Sequence, residues 1–218
     1  MINSDFLKPG QLITLMRPER DPRGKLEEET AQLFAVVDQC ISLNSIQSAM
    51  ILLYSGIDAM AWLNRPSNVD DVRACDFTDW VQTYFLPDSG FGCTADDLYG
   101  ARCALLHSNT PESTRHRQGK ACKVFYFRQA GQETKGILQL RLSEASHPFM
   151  INVDQFVAAL KTAVSRFLED LERDVPKAEL VYERIQQSYF SSVKVMDNQT
   201  SVTRPNNQVQ PTAEKRGG

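Results

Sequence analysis

The sequence predicts a mostly α protein with a β-hairpin inserted into it. Three observations carry that expectation. Apolar residues recur at helical spacing along most of the chain. One stretch, 122–142, changes to strand rhythm around a polar turn. The 218 residues are 42% hydrophobic, which is enough for a core and excludes wholesale disorder.

The elements follow in order. Residues 1–25 hold Pro9, Gly10, Pro18, Pro22 and Gly24 and read as an extended lead-in. From Leu26 onward, Leu33, Phe34, Val37, Cys40 and Ile41 stand at helical spacing and predict a helix near 26–43, broken at Asn44 and Ser45. The run from Ile46 to Asn64, before Pro66, is apolar nearly all round, as suits a central helix packed on several sides. A weaker helix covers 77–86 and stops at Pro87, and Gly90 and Gly92 mark a loop. Thr94 caps the next helix, with Asp96 and Asp97 against the positive end of its dipole. Leu98, Ala101, Leu105 and Leu106 face its core side, and Pro111 ends it. Lys123–Phe127 and Ile137–Leu142 predict the two arms of the hairpin. Asn152 caps a strong helix carrying Val153, Phe156, Val157, Leu160, Val164, Phe167, Leu168 and Leu171, and Pro176 separates it from a last helix near 177–190. After Met196 the chain turns polar, with Pro205 and Pro211. The expected organisation is a lead-in over 1–25, one helical domain over 26–192 and a disordered tail over 193–218.

Bulk properties narrow the function classes. No window reads as a membrane span, and the first residues lack the basic-then-apolar run of a signal peptide, so the expected location is cytoplasmic. Five cysteines, an odd number at irregular spacing, read as reduced thiols. A net charge of −3 argues against a uniformly basic nucleic-acid binder. The phosphate-cradling G-x-x-x-x-G-K-[ST], the nucleophile elbow G-x-S-x-G, H-E-x-x-H and C-x-x-C are all missing. Cys103 and His107, four apart, could begin a zinc site with Cys93 or Cys122, but no paired ligand motif supports it, and a small buried hydrophobe is the competing reading of Cys103. No metal and no cofactor is expected.

The informative segment places Arg102 five residues before His107, late in a helix. On an ideal α-helix the two side chains stand about 140° apart, on the edge of a groove rather than on one face, unless the helix loosens near His107. A guanidinium offers a planar fork of donors to a phosphate, and an imidazole exchanges a proton near neutral pH. Together they suffice to cleave RNA: the imidazole activates the 2′-hydroxyl or protonates the leaving oxygen, and the guanidinium stabilises the transition-state charge. The competing reading is a solvated Arg and a His that interacts with free carbonyls at a helix end.

Two segments, Ile51-Leu-Leu-Tyr-Ser-Gly-Ile-Asp-Ala-Met-Ala and Tyr99-Gly-Ala-Arg-Cys-Ala-Leu-Leu-His-Ser, resemble the HEPN superfamily (higher eukaryotes and prokaryotes nucleotide-binding domains). The second matches that family's R-x(4–6)-H signature. The resemblance implies an up-and-down helical bundle that dimerises and joins two motifs as a metal-independent endoribonuclease, in toxins, antiviral effectors or RNA-processing enzymes. By position it makes Arg102 the phosphate-binding residue, His107 the general acid/base, and Asp58 a support that orients or charge-pairs with Arg102. Cys103 stands where many active members have a polar residue, and no Tyr closely follows His107. A second reading is therefore a non-catalytic interaction or nucleotide/RNA-binding module, partnered with a nucleotidyltransferase-like protein.

Charge is strongly segregated. From Asp58 to Asp97 there are eight acids and two bases, and from Arg102 to Arg141 eight bases and two acids. Arg115, Arg117, Lys120, Lys123 and Arg128 are thus candidates to track an RNA backbone, with Tyr126 and Phe127 as stacking surfaces. The same bases could instead solvate a hairpin or meet an acidic segment of a second subunit or an antitoxin. Trp62 and Trp80 read as core or dimer interface, and His116 and His147 as loop residues. The final residues resemble a reading frame that runs into an integron recombination site, which would make this a bacterial cassette product. The partners expected are a second copy of the chain, RNA, and an antitoxin or nucleotidyltransferase-like protein, with no membrane.

Overall fold

The computed structural model describes residues 12–13, 22–69, 71–108, 110, 112–128, 148–187 and 195–196. In order, the elements are β1 (Leu12–Ile13), α1 (Pro22–Ser42), α2 (Ile46–Asn64), α3 (Ala74–Trp80), α4 (Ala95–Cys103), α5 (Thr114–Arg117), β2 (Val124–Phe127), β3 (Phe149–Asn152), α6 (Val153–Arg173), α7 (Val175–Gln187) and β4 (Val195–Met196). Two π-helical turns extend the helices that precede them: Val81–Phe85 continues α3, and Ala104–Ser108 continues α4. Helices take 72% of the described residues, in line with the helical class expected.

The chain divides into two units. One comprises Met1–Arg17 with Phe190–Gly218. Its described part is β1 paired antiparallel with β4, Leu12 opposite Met196 and Ile13 opposite Val195. The rest of the expected lead-in and of the expected tail lies outside the described residues. The other unit, Pro18–Tyr189, holds the remaining elements.

In that unit α2 is the central helix, as its all-round apolar sequence demands. It packs against α1, α3, α6 and α7 and buries Leu53, Tyr54, Ile57 and Met60. By length and composition α2 could cross a membrane, contrary to the sequence expectation, yet half of its most apolar window is buried by neighbouring helices, as befits a core helix. Arg184 of α7 is buried beneath its C-terminal end and donates to the carbonyls of Leu63, Arg65 and Pro66. Gly56 lets α1 approach closely: a Cβ there would stand 2.6 Å from Leu33 Cδ2. α1 begins at Pro22 rather than Leu26, because Pro is well suited to a first helical turn.

α6 forms where expected. The Asn152 side chain accepts from the Gln155 N–H at 3.0 Å, and the helix turns Phe156, Leu160, Ala163 and Phe167 inward. Phe156 packs against Tyr54, Phe85, Phe91 and Tyr126. Among the described residues the strand at 124–127 pairs with 149–152, in parallel, with Val124 opposite Phe149 and Phe127 opposite Asn152. That pairing is not a hairpin. The expected second arm at 137–142 lies outside the described residues.

Candidate active site

The site is built on α4. Thr94 caps its start: the Thr94 hydroxyl accepts from the Asp97 N–H at 3.2 Å, and the Asp97 carboxylate accepts from the Thr94 N–H at 2.8 Å. Asp97, read from sequence as a dipole partner, is buried and also accepts from the Cys122 N–H, so it ties the helix start to the segment before β2. Gly100 permits close packing two residues before Arg102. A Cβ there would lie 2.8 Å from Ala121 Cβ and 3.1 Å from His116 Nε2. His116 sits in α5, not in a loop, and its Nδ1 accepts from the Ser113 N–H at 2.8 Å. Burial lowers the pKa of this imidazole below 6.5, in keeping with a structural role.

The π-helical turn at Ala104–Ser108 begins directly after Cys103 and changes the geometry of the motif. In a π turn each N–H reaches the carbonyl five residues back, so residues five apart approach the same face. The 140° separation of an ideal α-helix therefore does not hold. Arg102 Nη1 lies 3.1 Å from His107 Nε2. An arginine can only donate, so Nε2 is the accepting nitrogen of this hydrogen bond. Ala101 and Ala104 are buried behind the turn, whereas His107 is exposed.

Asp58 arrives from α2 and clamps the other edge of the guanidinium. Arg102 Nε donates to Asp58 Oδ2 at 2.9 Å and Oδ1 at 3.2 Å, and Nη2 donates to Oδ2 at 2.7 Å. Both side chains are mostly covered. Burial pulls the Arg102 pKa down, but hydrogen bonding and charge from Asp58, then from Cys103, more than offset it, and the net shift is upward. Arg102 is thus held as a fixed cation between a carboxylate and an imidazole. All three residues assigned to catalysis by resemblance meet in one cluster.

A ring of further groups surrounds the cluster. Tyr99 lies beneath it, with the Arg102 Cζ at 6.0 Å and the Arg115 Cζ at 4.6 Å from its ring centroid, and Phe77 packs on it at 5.3 Å. The Cys103 thiol interacts with both Tyr99 and Arg102. Tyr99 stands three residues before Arg102, so helical spacing is the sequence signal that sets it on the same side of α4.

The other candidate bases diverge. Arg115 pairs with Asp96, Lys123 with Glu112 at 3.2 Å, and Arg128 with Asp154 at 3.3 Å. Arg117 donates to Thr114 Oγ1 at 2.9 Å, and Lys120 is exposed. Tyr126 is not a free stacking surface: its hydroxyl bonds that of Tyr54, and its ring packs against Tyr54 and Phe156. Trp80 is fully buried in the core, and Trp62 lies under Arg65. All five cysteines are free thiols, and among the described residues no three His, Cys, Asp or Glu side chains converge as a metal site. His147, Lys135 and Arg141 lie outside the described residues. An apolar cleft of about 270 Å³ opens on the neighbouring face of α4, between Ile46, Met50, Leu105, Val124 and Phe125.

No family model, no curated protein and no solved structure matches the chain.

Proposed function

We propose that the protein is an endoribonuclease of HEPN type, an up-and-down helical bundle acting as a homodimer, with Arg102, His107 and Asp58 of each protomer in its site. The observation that carries the reading is the 3.1 Å approach of Arg102 Nη1 to His107 Nε2, with Asp58 clamping the opposite edge of the same guanidinium.

The chemistry follows from these positions. A phosphodiester oxygen accepts the hydrogen bond of Arg102 Nη1–H in place of His107 Nε2, whose lone pair is thereby freed. Nε2 then accepts the proton of the ribose 2′-hydroxyl. The 2′-oxygen bonds to phosphorus, the bond from phosphorus to the 5′-oxygen breaks, and the leaving oxygen takes a proton from His107 of the partner subunit, which enters the step as the imidazolium, so that one imidazole gains the proton the other loses. Arg102 holds the negative charge that grows on the non-bridging oxygens, and Asp58 keeps the fork aimed at them. The products are a 2′,3′-cyclic phosphate and a 5′-hydroxyl. The positive charge this step requires comes from Arg102, so chelators are expected to leave the rate unchanged. A toxin or phage-defence role rests on the family resemblance.

Cys103, directly after Arg102 where many active members of the resembled family have a polar residue, favours a second reading, a binding module that holds RNA or a nucleotide without cutting it, beside a nucleotidyltransferase-like partner. Cleavage assays divide the two. Wild-type protein is expected to cut RNA in the presence of chelator, and Arg102→Ala and His107→Ala are each expected to lose the activity while keeping the helical circular-dichroism spectrum. Equal cleavage by all three proteins would remove these residues from the reaction. RNA binding without any cleavage would favour the module.

A further inference from the structure

α5 has only four residues, yet the fold does much to hold it against α4. Gly100 omits a side chain so that His116 and Ala121 can press on the helix. Buried Asp97 binds the Cys122 N–H, and the Lys120 N–H donates to the Arg115 carbonyl at 2.9 Å. The outcome is a fixed place for one exposed-side cation. Arg115 lies over Tyr99, which also carries Arg102 on its periphery, with Phe77 behind the ring. A guanidinium laid on an aromatic face keeps its in-plane N–H groups for an outside acceptor. The carboxylate that pairs with Arg115, Asp96, is 56% exposed, and such surface pairs exchange readily with a competing anion.

We infer that Arg115 and Tyr99 form a second subsite beside the Arg102–His107 pair, which takes the phosphate adjacent to the scissile one, so that the ligand recognised is a single RNA strand with at least two consecutive phosphodiesters. The two guanidiniums border one aromatic ring, at 6.0 Å and 4.6 Å from its centroid, and so are near enough to meet neighbouring phosphates of one strand. Each is held by its own scaffold, Arg102 by Asp58 and the π-helical turn, Arg115 by α5. A backbone-tracking pair of this kind reads phosphate spacing rather than base identity. This inference rests on the ribonuclease reading for which phosphate is cut, but its test does not depend on cutting.

The test uses 2′-O-methyl oligoribonucleotides without terminal phosphates, which cannot be cleaved. A dinucleotide supplies one phosphodiester and a trinucleotide two. Binding to the full chain is measured by calorimetry. Wild-type protein is expected to bind the trinucleotide about tenfold more tightly than the dinucleotide, the scale of one charge-assisted contact. Arg115→Gln is expected to collapse that ratio toward one. Asp96→Asn, which frees Arg115, is expected to raise trinucleotide affinity, a gain that a damaged fold does not produce. Failure of wild-type protein to prefer the trinucleotide, or an unchanged ratio in Arg115→Gln, overturns the inference. A cleavage assay run alongside on unmodified RNA reports separately on the catalytic reading: oligonucleotide preference without cleavage would sink that reading and leave the subsite standing.

Discussion

The Asp58–Arg102 contact joins the central helix α2 to the motif-bearing helix α4, and Asp58→Asn tests how much depends on it. The substitution preserves shape but removes the charge, leaving the Arg102 guanidinium partly covered with only His107 and Cys103 as neighbours. Exposed ion pairs contribute roughly 0.2–1 kcal/mol, and breaking a fully buried one costs roughly 3–5 kcal/mol. With side chains 20% and 24% exposed and three hydrogen bonds made, this pair falls between those limits. A loss of about 1–2 kcal/mol follows, equivalent to about 2–8 °C in Tm for a domain of this size. The cleanest assay is a double-mutant cycle by thermal or urea unfolding of wild type, Asp58→Asn, Arg102→Gln and the double variant. The double variant should be less destabilised than the two single losses combined, by about 1–2 kcal/mol of coupling. Catalysis should fall further than stability, because a guanidinium misplaced by about 1 Å can cost about 100-fold in rate. Additivity within about 0.5 kcal/mol would refute the claim that Asp58 positions Arg102.

Other consequences are quicker to check. Gly100→Ala would gain helix propensity in an open position, but here it forces a Cβ to 2.8 Å from Ala121, so it should destabilise by about 1–3 kcal/mol in chemical unfolding. Burial depresses the pKa of His116 in the folded protein, so the unfolded chain binds the proton first as pH falls through about 6.5; its contribution is complete above that pH and is lost below it. The fall in Tm between about pH 7.5 and pH 5 should therefore shrink in His116→Gln. Cys93 is buried, and burial followed by the charge of Asp97 pushes its thiol up to about 11. Alkylation of the native protein near pH 8 should label exposed Cys75 and spare Cys93, as peptide mapping would show.

Where the sequence was legible, local chemistry decided the structure. α2 ends at Asn64, just short of Pro66, and α6 starts where the Asn152 side chain caps it, both as periodicity and caps indicate. The Thr94 cap was equally visible, whereas Asp97, legible only as a partner of the helix dipole, closes a capping box with it. The π-helical turns were not. Nothing in Ala104-Leu-Leu-His favours i→i+5 bonding over i→i+4, so α-helical arithmetic separated Arg102 from His107, whereas the turn brings them together. The partner of β2 was hidden for a related reason. Strand alternation points to the nearest strand-like run, whereas Phe149–Asn152, the described partner, reads in sequence as the approach to a helix cap. Linear charge counts also mislead. The block from Arg102 to Arg141 looks uniformly free, but Arg115, Lys123 and Arg128 reach acids at 96, 112 and 154 that only the fold brings close. The encounter of Asp58 with Arg102 across two helices came from resemblance, since periodicity says nothing of which helices adjoin.

The central claim, that the Arg102–His107 pair drives 2′-hydroxyl attack on RNA, is tested most directly by mapping the 3′ ends made from one defined RNA by wild type and His107→Ala. The account predicts 2′,3′-cyclic phosphate ends from wild type, with or without chelator, and a loss of at least about 100-fold in their formation by a folded His107→Ala protein. Ends bearing a free 3′-hydroxyl, or cyclic ends made equally well by His107→Ala, would contradict it.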